Sequence, residues 1–160
     1  MSSASRDTAL PSGLRWSAAT SAIQIEGSPS DDGGGRSIWD DFAEVPGAVR
    51  DASTPHRACD SYRHPEADVA LLAGLRIDRY RFSIPWARVQ PDGRGRGSVA
   101  ALDHYSRLVD ALLEVGVTPF PTLYHWEMPS AVESDGGWLV RETAERFGGY
   151  AGVVVGRLGG

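Results

Sequence analysis

The chain has 160 residues, enough for one compact domain and short for two. Its 41% hydrophobic and 23% charged residues are ordinary globular values, which excludes a fibrous or wholly disordered protein. A formal charge of −5 removes the basic footprint of a general nucleic-acid binder, and a single cysteine, Cys59, excludes an internal disulfide framework. All 16 basic residues are arginine, so Schiff-base and Walker-type lysine chemistry is excluded as well.

Residues 1–13 are polar and read as an N-terminal tail without the apolar core of a secretory signal, so a cytoplasmic location is expected. Leu14–Thr20 reads as a short strand, and Ser28–Arg36 is loop chemistry, rich in Pro, Ser, Asp and Gly. The run Asp31-Asp32-Gly33-Gly34-Gly35 superficially resembles a phosphate cradle but lacks the Lys or Thr such a loop uses. Ile38–Phe42 suggests a helical turn. Between Asp60 and Leu75 the residues Tyr62, Val69, Leu72 and Leu75 fit one helix face, regular from about Glu66 because Pro65 interrupts the first part. Arg79–Ile84 alternates Tyr80, Phe82 and Ile84 against Arg79, Arg81 and Ser83, the period of a strand.

Ala101–Val115 is the clearest amphipathic helix, with Gly116 placed as its C-terminal cap. Val117–Tyr124 is a nearly continuous apolar run, expected of a strand covered on both faces. Arg141–Leu158 carries a helical pattern through Phe147, Tyr150, Val154 and Leu158, although Gly148, Gly149, Gly152 and Gly156 each weaken it. Strand and helix thus alternate three times, the rhythm of a parallel α/β sheet. A doubly wound sheet and part of a (β/α)8 barrel both fit that order.

At the expected C-terminal ends of the strands stand Gln24, Arg81, His125 and Trp126. An amide, a guanidinium, an imidazole and an indole offer directional hydrogen bonds and a flat apolar face, a set suited to a sugar. Each also has a plainer reading: a satisfied core histidine, or an arginine in a structural ion pair. Glu26 and Glu127 are carboxylates near the same mouth and by position alone could pass for an acid and nucleophile pair. His56, Cys59, Asp60 and His64 match no standard zinc spacing. Gly93–Gly97 alternates Gly and Arg in a single short copy, which reads as a solvated loop rather than an RNA-binding tract.

The segments 16–27, Ser37-Ile38-Trp39-Asp40, Ala58-Cys59-Asp60, Tyr80–Ile84, Trp86 with Arg88, Pro91-Asp92-Gly93, 123–129 and Gly136-Gly137-Trp138 carry a resemblance. In order and spacing they resemble the N-terminal part of glycoside hydrolase family 1, the β-glucosidase family. The resemblance implies a (β/α)8 TIM barrel, of which residues 14–160 would form the first three βα units, with the barrel not closed in this chain. It implies that Gln24, His125 and Trp126 bind the sugar in the −1 subsite, that Arg81 supports the nucleophilic carboxylate, and that Glu26 and Glu127 are structural. It implies no cofactor and no metal, and a small glycoside as partner. With the acidic charge arguing against nucleic acid and no run of about 18 apolar residues to span a membrane, neither of those is an expected partner.

Retaining glycosidases need two carboxylates. The family carries them in an Asn-Glu-Pro motif and a Glu-Asn-Gly context, and neither tripeptide occurs in this chain. The chain alone is therefore expected to be inactive, as the glycone-binding portion of a larger enzyme, a non-catalytic remnant, or one half of a split protein. Departures from the family pattern are Ser17 for glycine, Ile23 for an aromatic, Ser61 for histidine, Arg76 for glycine and Pro85 for serine.

Overall fold

A computed structural model describes residues 11–159; most of the expected N-terminal tail lies outside the described residues. Three parallel strands, β1 (Ser17–Ala19), β2 (Arg79–Ser83) and β3 (Thr118–Thr122), form one sheet in sequence order. Ser17, Arg79 and Thr118 share one level of the register, and Ala19, Arg81 and Phe120 the level two residues on.

Between β1 and β2 run α1 (Ala22–Ile25), α2 (Ile38–Glu44) and α3 (Pro65–Gly74). Between β2 and β3 lie α4 (Trp86–Val89) and α5 (Val99–Glu114), and after β3 come α6 (Ser130–Ser134) and α7 (Arg141–Leu158). The strand expected over 14–20 is shorter, Ser17–Ala19, flanked by backbone bonds of Trp16 with Asp78 and Arg79 and of Thr20 with Arg81. The helix expected from Glu66 begins one residue earlier, because Pro65 at the first helical position supplies the right φ and loses no needed N–H.

The alternation in β2 sorts the two faces of the sheet. Tyr80 and Phe82, each 4% exposed, point to the helices, while Arg79 and Arg81 point to the opposite face. On the helix side the core joins Val69 and Leu72 of α3, Tyr105 and Leu112 of α5, and Tyr150 and Val154 of α7. Trp86 stacks on Tyr150 at 5.6 Å, and the Tyr150 hydroxyl donates to the carbonyl of Ile84 at 2.7 Å, fixing α7 to the end of β2.

Helix ends follow local chemistry. Ser98 Oγ accepts from Ala101 N–H at the start of α5. At its end Gly116, with φ +78°, donates to Leu113, and Val117 N–H donates to Leu112, a Schellman closure. The end of α3 closes the same way through Arg76 and Ile77, with the non-glycine Arg76 holding φ +54°.

β3 corrects one expectation: it is not covered on both faces. Phe120 is 47% exposed on the same face as Arg79, whose guanidinium lies 5.7 Å from the Phe120 ring centre. Thr118 N–H donates to Asp78, and Thr122 accepts from Ile84 N–H, so these residues face β2. Pro119 and Pro121 therefore face the open edge, where a ring replaces the N–H that would otherwise be unpaired. The apolar run is real, but among the described residues no layer covers its second face.

Candidate functional site

The C-terminal ends of the three strands open on one concave side. Gln24 sits on α1 just past β1, Arg81 projects from β2, and His125 and Trp126 lie in the loop after β3. All four line a single cavity of about 350 Å³, together with Trp39 of α2. Sequence reasoning brought the four residues to one mouth and gave Trp39 no part in it. Its only sequence signal was its place in the Ser37–Asp40 segment, since a helical turn does not show which way its ring points. The Trp39 ring lies edge-on to Phe42 at 5.8 Å and is 39% exposed.

Trp126 is 67% exposed and holds φ +76°, in the left-handed region that a bulky residue avoids. Such a conformation costs on the order of 1–3 kcal/mol and persists only where neighbours fix it. Downstream, Met128 accepts from Ile38 N–H at 2.9 Å, and Ser130 N–H donates to Arg36 at 2.9 Å. His125 Nδ1 is buried and has no hydrogen-bond partner among the described residues.

Beside the cavity lies a cluster of buried ionisable groups. Glu26, 8% exposed, accepts from Arg88 Nε at 3.2 Å and from the Tyr105 hydroxyl at 2.9 Å. Arg88 also donates to the carbonyls of Ser28 at 3.0 Å and Gly27 at 2.9 Å, and lies 3.7 Å over the Tyr62 ring. Burial raises the Glu26 carboxyl to about 7 against the opposing pull of Arg88. Glu127, 2% exposed, accepts from Ile23 N–H at 2.5 Å, while its Oε2 has no partner among the described residues. Burial first, and the nearby Glu26 second, push Glu127 up to about 8. Neither carboxyl lines that cavity; both line a separate, smaller pocket together with Ala22, Ile23 and Arg88.

Residues 6–160 match the model of glycosyl hydrolase family 1. The chain belongs to that family. It is 50% identical over 158 residues to thermostable beta-glucosidase B of Thermobispora bispora, covering 99% of this chain and 33% of that protein. To beta-glucosidase A of Thermotoga maritima it is 45% identical over 149 residues, covering 93% of this chain and 33% of that one. The solved structure of a Thermotoga maritima beta-glucosidase in complex with deoxynojirimycin superposes with a TM-score of 0.90 at 45% identity, over 94% of this chain and 34% of that chain. The chain thus spans about a third of the length of the curated relatives it matches, and its sheet corresponds to three βα units of their (β/α)8 barrel, left open.

The remaining sequence features fall elsewhere. Asp31 accepts from Arg63 and Asp32 from the Tyr62 hydroxyl, so the apparent phosphate loop is held by internal pairs. His56 lies 3.6 Å from Asp40, and His64 lies near Asp60 and Glu66. Cys59 is exposed, and no group of three or more His, Cys, Asp or Glu among the described residues is arranged to hold a metal ion. No described helix is long and apolar enough to cross a membrane.

Proposed function

We propose that this chain supplies the glycone-binding portion of a retaining β-glucosidase-like active site. The observation that carries the reading is the convergence of Gln24, Arg81, His125 and Trp126 on one cavity at the C-terminal ends of parallel strands, the end where such barrels act. Gln24 and His125 hydrogen-bond the sugar hydroxyls, and Trp126 offers its ring to the C–H face. Arg81 projects from the open face, where its charge holds a neighbouring carboxylate ionised.

In the reaction that carboxylate attacks the anomeric carbon as the glycosidic C–O bond breaks, and a second carboxylic acid protonates the departing oxygen. Water then attacks the glycosyl-enzyme ester, giving its proton to the second carboxylate and releasing the first. The sequence contains no asparagine, so neither family motif for these two groups occurs in it. The reading therefore assigns the chain binding without turnover. The uncovered face around Ala19, Arg81 and Phe120 supports a site that further strands complete.

Deoxynojirimycin, the ligand of the Thermotoga maritima complex, tests this directly. An NMR titration of the chain should shift the Gln24 side-chain amide, the His125 ring and the Trp126 indole together, with no hydrolysis of an aryl β-glucoside. Saturating ligand that leaves all three unmoved defeats the reading.

A further inference from the structure

We propose that Glu127 is a positioning residue: its buried carboxyl group ties the loop after β3 to the start of α1 and thereby sets His125 and Trp126 against Gln24. The proposal rests on the glycone-binding reading of those three residues.

α1 is one turn long, and Ser21 gives it no side-chain cap. Its first two amides are instead taken by distant elements, Ala22 N–H by Ser83 Oγ of β2 at 2.7 Å and Ile23 N–H by Glu127 Oε1. A buried amide needs such a partner, and here each partner comes from a neighbouring strand or its loop. The Ile23–Glu127 bond spans 104 positions and joins the residue before Gln24 to the residue after Trp126. Trp126 itself sits at φ +76°. Residues 128–130 are pinned to residues 36–38 by backbone hydrogen bonds, so among the described residues the Glu127 side chain supplies the one hydrogen bond between that loop and α1. Without it, the loop stays anchored toward α2 and loses its register with Gln24. Glu127 does not line the cavity, so it acts through the residues that do.

The test replaces the acceptor while keeping the volume. Glu127→Met removes the hydrogen bond, and Glu127→Gln keeps an amide oxygen that can accept from Ile23 N–H. In Glu127→Met, hydrogen exchange at Ile23 should speed by about 10-fold or more while amides of β2 keep wild-type rates, since losing a buried acceptor is worth about that factor. The Trp126 indole and Gln24 side-chain signals should move, and deoxynojirimycin affinity should fall about 10-fold. Glu127→Gln should restore all of these toward wild type, an outcome that separates positioning from charge. Unchanged exchange at Ile23 in Glu127→Met overturns the proposal, as does a rise matched by the β2 amides, which marks general loosening. If Glu127→Met does not fold, Glu127→Gln decides: wild-type Ile23 exchange and affinity support the tie, and a loss of both overturns it. A wild-type chain that binds no deoxynojirimycin defeats the glycone-binding reading alone, because the Ile23 and Trp126 signals still judge the tie.

Discussion

Arg88→Met removes a guanidinium that is almost fully buried, and the structure sets the size of the effect. Arg88 and Glu26 have side chains 4% and 10% exposed, and the guanidinium meets Glu26, Gly27 and Ser28 at once while covering the Tyr62 ring. Removing one partner of a buried ion pair costs about 3–5 kcal/mol, because the other charge is left without compensation. Glu26 limits the damage by taking up a proton, since burial already holds its carboxyl near 7. We therefore expect a loss of about 3 kcal/mol at pH 7, growing as the pH rises and protonation becomes harder. Urea unfolding followed by tryptophan fluorescence reads this as a midpoint lower by roughly 1–2 M, for a slope of about 2 kcal/mol per molar. The double variant Arg88→Met with Glu26→Leu should be less destabilised than the sum of the two single variants by about 2 kcal/mol. A single-variant loss below about 1 kcal/mol, or strict additivity, would refute the reasoning.

The remaining predictions concern pH and backbone. Glu127 and Glu26 keep protons in the folded chain up to about 8 and 7, whereas the unfolded chain releases them near 4.5, so folding loses stability as pH rises through that window. His104 works oppositely only between about 4 and 6.5, where the unfolded chain holds a proton that burial denies the folded one. The unfolding free energy read from urea titrations should therefore fall between pH 6.5 and 8, by at most about 1.4 kcal/mol per pH unit for each carboxyl, and a flat profile there would contradict the assignment. Gly93→Ala should cost about 2 kcal/mol, because at φ +66° its Cβ would meet the buried Val132 side chain at 2.0 Å. Gly149→Ala should instead gain about 0.5–1 kcal/mol, since nothing lies within 4 Å of that exposed position in α7. Arg76→Gly should stabilise by about 1 kcal/mol by relieving a left-handed residue at the end of α3, read as a higher melting temperature.

The elements that declared themselves in the sequence are those whose own chemistry suffices. The Tyr80/Phe82 against Arg79/Arg81 alternation marks β2, and the apolar stripe of α5, closed by Gly116, marks the clearest helix. Arg76 was recognisable as an exception, and the structure shows its physical meaning at the left-handed cap of α3. What stayed hidden depends on partners far along the chain. α4 is buried at all four of its residues, so it has no periodicity to read, and α1 exists through bonds to Ser83 and Glu127. The types of the site residues and their meeting at one mouth were legible from the strand ends, whereas the place of Trp39 in the cavity depends on how α2 packs, which no local pattern encodes. The full cover expected over β3 failed for a related reason: an apolar run shows what a strand can bury, and the second face needs a layer from elsewhere.

The most direct test of the central claim pairs this chain with the part of Thermotoga maritima beta-glucosidase A that lies beyond the matched third. Hydrolysis of an aryl β-glucoside is then followed for the chain alone, its partner alone and the two together. The account predicts turnover only in the mixture, and its loss when the chain carries Trp126→Ala or Arg81→Ala. Turnover by the chain alone, or a mixture that associates and stays inactive, would contradict the account.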